Sequence, residues 1–282
     1  MLTEPTSAFA YFQGAPLIPP ATVLEPTVIS NAASSVVVLP TYNEVGNIRS
    51  TLAALMACDP RVEVLVVDDA SPDGTAMMAE KAGAEHPGRV HLLHRAGKAG
   101  LGTAYRDGLS WAMGRGYEVI VQMDADGSHP AERLPAMLDL ISAGDADVVV
   151  GSRYAPGGAI RNWPLRRRLL SRLANLYARR LLGLDQQDVT AGFRAWRRKA
   201  LIHVDPGAMT TDGYGFLVEM AATAHRGGLR VVEIPITFVD RVHGTSKMTG
   251  GIAVEAIFMV WRLRRPAPTL AEVPRPDLAV AS

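Results

Sequence analysis

Short hydrophobic runs alternate along the chain with longer segments in which hydrophobic residues recur every three or four positions. Uninterrupted apolar runs of this length are typical of strands buried on both faces of a parallel sheet, and the longer period is typical of amphipathic helices. We predict strands over residues 35–39, 62–67, 90–93, 119–123 and 148–150. Helices are predicted over 45–57, 75–84, 102–113 and 132–143. The pattern therefore predicts an α/β domain in which strands and helices alternate.

The two ends of the chain lack this periodicity. Residues 1–34 mix Pro, Ser, Thr and Ala, and residues 266–282 have the same character around four prolines, so we expect a tail at each end. A length of 282 residues suits one main domain, which we place over residues 35–240, with a further loop and helix over 241–265.

Charge and cysteine content narrow the class of protein. The chain has 48% hydrophobic and 20% charged residues, ordinary values that argue against a fully disordered chain, and its single cysteine can form no internal disulfide. No Lys or Arg precedes Arg49, so a basic signal peptide is not expected. The best apolar run, 252–263, contains Glu255 and Arg262 and falls short of the roughly 20 residues that span a bilayer. We expect a cytoplasmic location.

Two motifs follow the first two predicted strands, where parallel sheets bind ligands. Residues 40–44, PTYNE, offer an aromatic face and a carboxylate to a nucleoside, although Asn43 as a helix cap is the simpler interpretation. Residues 68–75, DDASPDGT, place two adjacent carboxylates at a strand end. Turn formation explains residues 71–74, but it leaves Asp68 and Asp69 unexplained.

Two further motifs follow the third and fourth strands. Residues 97–102, GKAGLG, lack the spacing of a phosphate-binding loop, which excludes that type of ATPase, and no dinucleotide-binding glycine motif follows the first strand. Asp124 and Asp126 alternate, so both carboxylates project to one side and can share Mg²⁺ or Mn²⁺ with substrate phosphates. A solvated turn is the alternative, and His129 is interpreted as a packing residue rather than a ligand. We expect these aspartates and those after the second strand to converge on one pyrophosphate.

Residues 165–184 combine seven apolar residues on one helical stripe with a cluster of arginines. This basic amphipathic pattern suits a helix lying on an anionic membrane, and equally a helix packed on the core with a solvated face. A nucleic-acid-binding module is a third interpretation, which the aspartates oppose by repulsion.

Taken in order, the motifs resemble glycosyltransferase family 2, and within it the polyprenol- and dolichol-phosphate mannose synthases. The resemblance rests on the motifs above and on GSRY at 151–154, NWPLRRRLLSRLAN at 162–175, DVTAGFRAW at 188–196, DGYGF at 212–216 and GTSKM at 244–248. It implies a GT-A (half-Rossmann) fold with a mixed, mostly parallel sheet, and a chain of the type that is catalytic domain only. It also implies GDP-mannose as donor, polyprenyl or dolichyl phosphate as acceptor, and Mg²⁺ or Mn²⁺ as cofactor.

The resemblance assigns roles residue by residue. The nucleotide-sugar site would comprise Pro40, Tyr42, Glu44, Val67, Asp68, Asp69, Asp124, Ala125 and Asp126. The metal ligands would be Asp126, Asp124 and Ser128, where relatives often have the longer Gln. The catalytic group would be Asp126, Arg153, Arg241 and Lys247, and the lipid phosphate would contact Arg153, Arg167 and Ser246.

A phosphate monoester has a second pKa of about 6, so a lipid phosphate is already anionic at neutral pH and needs no general base to act as a nucleophile. We therefore expect direct attack on the anomeric carbon with inversion. We also expect contact with an anionic membrane surface, whether or not a separate membrane protein anchors the enzyme. Another nucleotide sugar such as UDP-glucose, or a different acceptor, remains the alternative within the family. A catalytically dead sensor is disfavoured because the carboxylates are retained.

Overall fold

A computed structural model describes residues 35–240 and 258–264. Within them the strands are β1 Ser35–Thr41, β2 Val62–Asp68, β3 Val90–His94, β4 Val119–Gln122, β5 Val148–Ser152, β6 Ala159–Arg161, β7 Arg194–Arg197, β8 Val231–Pro235 and β9 Thr237–Val239. The helices are α1 Val45–Cys58, α2 Thr75–Glu85, α3 Leu101–Gly114, α4 Leu134–Ser142, α5 Leu165–Leu182, α6 Arg198–Val204 and α7 Tyr214–Arg226.

The main sheet has seven strands in the order β3-β2-β1-β4-β7-β5-β8. All neighbours are parallel except β7, which runs antiparallel to β4 and to β5. A second, two-stranded sheet pairs β6 with β9 in parallel. The mixed, mostly parallel sheet expected from the sequence is therefore confirmed.

The sheet lies between two layers of helices. Alternate residues of β1 point to opposite faces: Val37 and Leu39 pack with α1, α2 and α4, whereas Val36 and Val38 pack with α3, α6 and α7. This alternation explains why the strands read as continuous apolar runs, since both faces are buried. Burial on both sides fixes the strands and thereby the loops at their carboxyl ends.

The five predicted strands and four predicted helices are all present, with ends within about two residues of those expected. The pattern did not identify β6, β7, β8 and β9 or the helices α6 and α7. β7 was not predicted because Arg194 and Arg197 leave only two apolar residues in this four-residue strand. Arg194 is nonetheless buried, because its guanidinium donates to the backbone oxygens of Leu217 and Val189.

Candidate active site at the carboxyl edge of the sheet

The sequence motifs meet at the carboxyl ends of β1, β2 and β4. β1 lies between the other two strands, with Thr41 in register with Asp68 of β2 and Val38 in register with Gln122 of β4. The aspartates after β2 and those after β4 consequently lie on opposite sides of β1. Among the described residues, no three His, Cys, Asp or Glu side chains come together as a metal-binding group. The two aspartate pairs therefore form separate parts of one edge, not a single four-carboxylate cluster.

Asp68 is 1% exposed, and its own surroundings use its carboxylate. Oδ1 accepts from the Thr41 hydroxyl at 2.8 Å and the Ser71 hydroxyl at 2.6 Å, and Oδ2 accepts from the Ser71 amide at 2.8 Å. Burying a carboxylate is costly unless hydrogen bonds satisfy its oxygens, as they do here. These bonds connect the loop after β2 to the end of β1, so Asp68 stabilises the conformation of the loop.

Asp69 is 5% exposed and forms an ion pair with Arg95, a residue that sequence reasoning missed. Its Oδ2 also accepts from the Ala99 amide at 3.2 Å. Arg95 in turn donates from Nε to Asp107 of α3 at 2.8 Å. The signal that could have identified Arg95 is its place directly after β3, at the ligand-binding edge of the sheet.

An aromatic platform lies beside this ion pair. The ammonium group of Lys98 lies 4.2 Å from the centroid of the Tyr42 ring, a cation–π distance. A cavity of about 630 Å³ opens next to it, lined by residues 93–99 and Asp107. Pro40 and Val67 are register partners behind the platform, and Glu44 accepts from the Asn47 side chain at 2.8 Å. The arrangement offers a flat ring, cations and a carboxylate to a heterocycle and its sugar.

The loop after β4 carries the second pair of carboxylates. Asp126 is 7% exposed, and its Oδ1 accepts from the Ser128 amide at 3.0 Å. The backbone oxygen of Ala125 accepts from Thr51 of α1 at 3.0 Å, and the backbone oxygen of Ser128 accepts from the Val239 amide at 3.3 Å. Contacts from α1 and β9 thus hold this loop in place.

Hard oxygen donors lie together in this loop. Asp124 and Asp126 supply carboxylates, and the Ser128 hydroxyl is buried with no hydrogen-bond partner among the described residues. Such a set suits Mg²⁺ or Mn²⁺, which is usually held by one or two carboxylates with substrate phosphates and water completing the shell. The residues present therefore fit a divalent cation that a diphosphate ligand would share.

Asp124 has polar neighbours on both carboxylate oxygens. The Tyr105 hydroxyl lies 3.3 Å from Oδ1, and Nε2 of His129 lies 3.3 Å from Oδ2. Burial raises the pKa of Tyr105 well above its usual value, and the charge of Asp124 adds to this effect, so the phenol keeps its proton. His129 packs between Phe193 and Phe238 with centroids 5.4 Å away, which agrees with the packing role expected for it.

Arg153 makes a bidentate ion pair with Asp188, a residue to which the sequence motifs gave no role. Nε lies 2.7 Å from Oδ2 and Nη2 lies 2.6 Å from Oδ1, and Asp188 is fully buried. Burial alone would raise the pKa of Asp188, but the charge and hydrogen bonds of Arg153 outweigh burial and lower it. The signal for Asp188 was its place at the start of the DVTAGFRAW motif.

Arg167 of α5 lies close to this pair. Its guanidinium stacks 4.0 Å from the centroid of Trp163 and donates to Asp240 at 3.0 Å, while Trp163 packs edge-on against Phe238. The remaining candidates, Arg241, Ser246 and Lys247, lie outside the described residues, as do the predicted tails.

Helix α5 divides the predicted apolar stripe into two parts. Toward its start the leucines are exposed, with fractions of 80%, 60%, 53% and 45% for Leu165, Leu169, Leu173 and Leu176. Toward its end, Tyr177 and Leu181 pack with α7 and with Val260 of the second described range. The helix is therefore packed on the core at one end and exposes its apolar face at the other. Within the two described ranges, no helix combines the length and apolar composition that crossing a bilayer requires.

Sequence comparison finds similar proteins that match most of the chain. The family model described as glycosyl transferase family 2 matches residues 36–205. The polyprenol monophosphomannose synthase of Mycolicibacterium smegmatis is 47% identical over 242 residues, which cover 85% of this chain and 91% of that protein. The undecaprenyl-phosphate mannosyltransferase of Micrococcus luteus is 50% identical over 225 residues, which cover 80% of this chain and 91% of that protein.

Solved structures agree on the fold. Glucosyl-3-phosphoglycerate synthase from Mycobacterium tuberculosis, in complex with Mn²⁺, UDP and glucosyl-3-phosphoglycerate, superposes with a TM-score of 0.62 at 20% identity. The match covers 81% of this chain and 79% of that protein. The GT-A expectation is confirmed by this likeness.

Acid stability tests the Arg153–Asp188 pair. Because the pKa of Asp188 is lowered in the folded protein, the pair stabilises the fold above the unfolded pKa of about 3.9 and this contribution is lost as the pH falls through the folded pKa. We expect Asp188→Asn to reduce the free energy of unfolding at pH 7 by about 3–5 kcal/mol, since it leaves a buried charge unpaired. The deficit should shrink below about pH 4.

Urea unfolding at several pH values measures this effect. Asp147→Asn is the control, because Asp147 pairs with Arg230, an exposed partner on the surface. A much smaller loss is expected for the control at neutral pH. Equal losses for the two variants, or a deficit for Asp188→Asn that is independent of pH, would contradict the interpretation.

Proposed function

The chain belongs to glycosyl transferase family 2, and from this we propose that it transfers mannose from GDP-mannose to a polyprenyl phosphate. The observation that carries the proposal is the loop after β4, in which Asp124 and Asp126 lie at the carboxyl edge of a GT-A sheet. The choice of sugar and acceptor follows the relatives that are 47% and 50% identical, both of which are named for mannose transfer to a polyprenyl phosphate.

The donor would lie along the edge from β2 to β4. Tyr42 and Asp69, beside the cavity lined by residues 93–99, would hold the nucleoside, and Asp124 and Asp126 would face the ribose and diphosphate. When bound there, Mg²⁺ or Mn²⁺ would neutralise charge that develops on the departing diphosphate. The fold relative binds Mn²⁺ with UDP, which supports a divalent cation for this chain as well.

The acceptor requires little activation. A phosphate monoester is largely anionic at neutral pH, so its oxygen can attack the anomeric carbon directly and invert it. The protein must then hold two anions close together, which cationic side chains accomplish. Arg153 lies where GSRY leaves β5, and its pairing with Asp188 fixes its orientation. Arg167, Arg241, Ser246 and Lys247 complete the proposed phosphate contacts.

The exposed part of α5 supports contact with an anionic membrane. Five leucines with exposed fractions of at least 45% lie on a helix that also carries Arg166, Arg168 and Arg172. Apolar side chains that enter the headgroup region next to basic ones are typical of helices lying on a bilayer. We therefore propose a peripheral enzyme at the cytoplasmic face. A nucleic-acid module is disfavoured, because phosphate contacts need no exposed leucines.

Transfer to lipid tests the activity. Incubation with labelled GDP-mannose, Mn²⁺ and polyprenyl phosphate, followed by organic extraction, should move label into the lipid phase. Asp126→Asn should lower this transfer by at least about a hundredfold, since a metal ion at the leaving group is worth several kcal/mol. Asp139→Asn is the matched control, because Asp139 is exposed on α4. Label transfer from UDP-glucose but not from GDP-mannose would contradict the proposed donor. Full activity of Asp126→Asn would contradict the proposed metal and diphosphate site.

Vesicle cosedimentation tests the membrane surface. Binding to vesicles with anionic lipid should be strong at low salt and weaken at high salt, because salt screens the attraction between the arginines and the lipid headgroups. Leu173→Glu should weaken binding roughly tenfold or more, given about 1.5–3 kcal/mol for burying one leucine. Ile202→Glu is the control, since Ile202 is 58% exposed on α6. Absence of binding at low salt would overturn the assignment.

A further inference from the structure

Three sequence motifs converge on the carboxylate of Asp124. Tyr105 comes from GKAGLGTAY on α3, His129 from MDADGSHP, and Gly192 from DVTAGFRAW. Tyr105 lies on one oxygen of Asp124 and His129 on the other, each at 3.3 Å. A Cβ added at Gly192 would lie 3.2 Å from Oδ2 and 3.3 Å from Oδ1 of Asp124. Residues from three separate segments therefore border the carboxylate of Asp124.

The chemistry of each contact is defined. Tyr105 is fully buried, and its hydroxyl donates to Oδ1 of Asp124. A carboxylate only accepts, so Nε2 of His129 must carry the proton that faces Oδ2. Both separations are at the long end of the hydrogen-bond range.

The two donors are themselves held rigidly. The Tyr105 ring stacks parallel to Phe216 of α7, with an interplanar angle of 7° and centroids 6.1 Å apart. His129 is 6% exposed and lies between Phe193 and Phe238. Neither side chain can turn away without disturbing the core, because interiors are close-packed. Asp124 itself has a side chain that is 37% exposed, so its carboxylate faces the open edge where the donor would bind.

From this geometry we infer that Tyr105 and His129 are positioning residues, which orient Asp124 toward the donor and its cation. The inference rests on the proposed function, because it concerns the same donor site. Residues that orient a metal-associated carboxylate from behind typically contribute 10- to 100-fold to metal affinity or activity. Tyr105 and His129 touch no reacting atom in this scheme; they act through Asp124.

Tyr105→Phe tests the inference with one atom removed. Tyr117→Phe is a matched control: Tyr117 is 2% exposed, and its hydroxyl also donates to a carboxylate, that of Glu63, at the opposite edge of the sheet. Isothermal titration of GDP in the presence of Mn²⁺ is the readout. We expect Tyr105→Phe to bind about 10- to 100-fold more weakly than wild type, and Tyr117→Phe to bind as wild type does. Both variants should show similar decreases in thermal midpoint.

A second pair of variants keeps the test decisive if Tyr105→Phe does not fold. His129→Phe retains an aromatic ring in its cage but removes the donor, whereas His129→Gln keeps an N–H group. We expect His129→Phe to weaken Mn²⁺-dependent GDP binding by the same 10- to 100-fold and His129→Gln to restore most of it.

The outcomes separate the two claims. Wild-type protein that binds no GDP with Mn²⁺ would overturn the proposed function itself. Wild-type binding together with unchanged affinity in Tyr105→Phe and in His129→Phe would overturn only the positioning role. Equal weakening by Tyr117→Phe would show a general effect on the fold and would also overturn it.

Discussion

Negative charge buried at one edge of a sheet is the constraint on which the rest of this structure depends. Asp68, Asp69 and Asp126 are each less than 10% exposed, and a buried carboxylate is stable only when hydrogen bonds or opposite charge compensate it. The fold solves this in a different way at each position. Hydroxyl and amide groups satisfy Asp68, and Arg95 pairs with Asp69. In our account, the loop after β4 is completed by the cation and diphosphate of the donor.

The same edge is connected to the surface that we assign to the membrane. Asn175 of α5 donates to the Thr190 hydroxyl at 3.2 Å, and Arg153 donates to that hydroxyl at 2.8 Å. β9 is also hydrogen-bonded to the site, since the Val239 amide donates to the backbone oxygen of Ser128 in the loop after β4. The exposed helix and the proposed phosphate contacts thus share one hydrogen-bonded framework. This arrangement suits an enzyme whose two substrates arrive from water and from a bilayer.

The sequence predicted the parts of the fold that follow from local pattern. Strands buried on both faces, such as β1 and β2, are evident because each contains a continuous apolar run, 36–40 in β1 and 64–67 in β2. β7 was not evident, because Arg194 is buried through backbone oxygens that only the tertiary fold supplies. The same limit applied to the site. The position of Asp69 directly after a strand was predictable. Its pairing with Arg95, and the position of β1 between the two aspartate pairs, depend on the order of strands in the sheet.

Anomalous diffraction at the manganese edge, from crystals grown with GDP and Mn²⁺, tests the central claim most directly. Our account predicts a single strong peak within coordination distance of the Asp126 carboxylate, roughly 2.0–2.2 Å as for small divalent cations with oxygen ligands. The peak should also contact a GDP phosphate. Bound GDP with no peak beside Asp124 or Asp126, or a metal peak held elsewhere on the chain, would contradict the account.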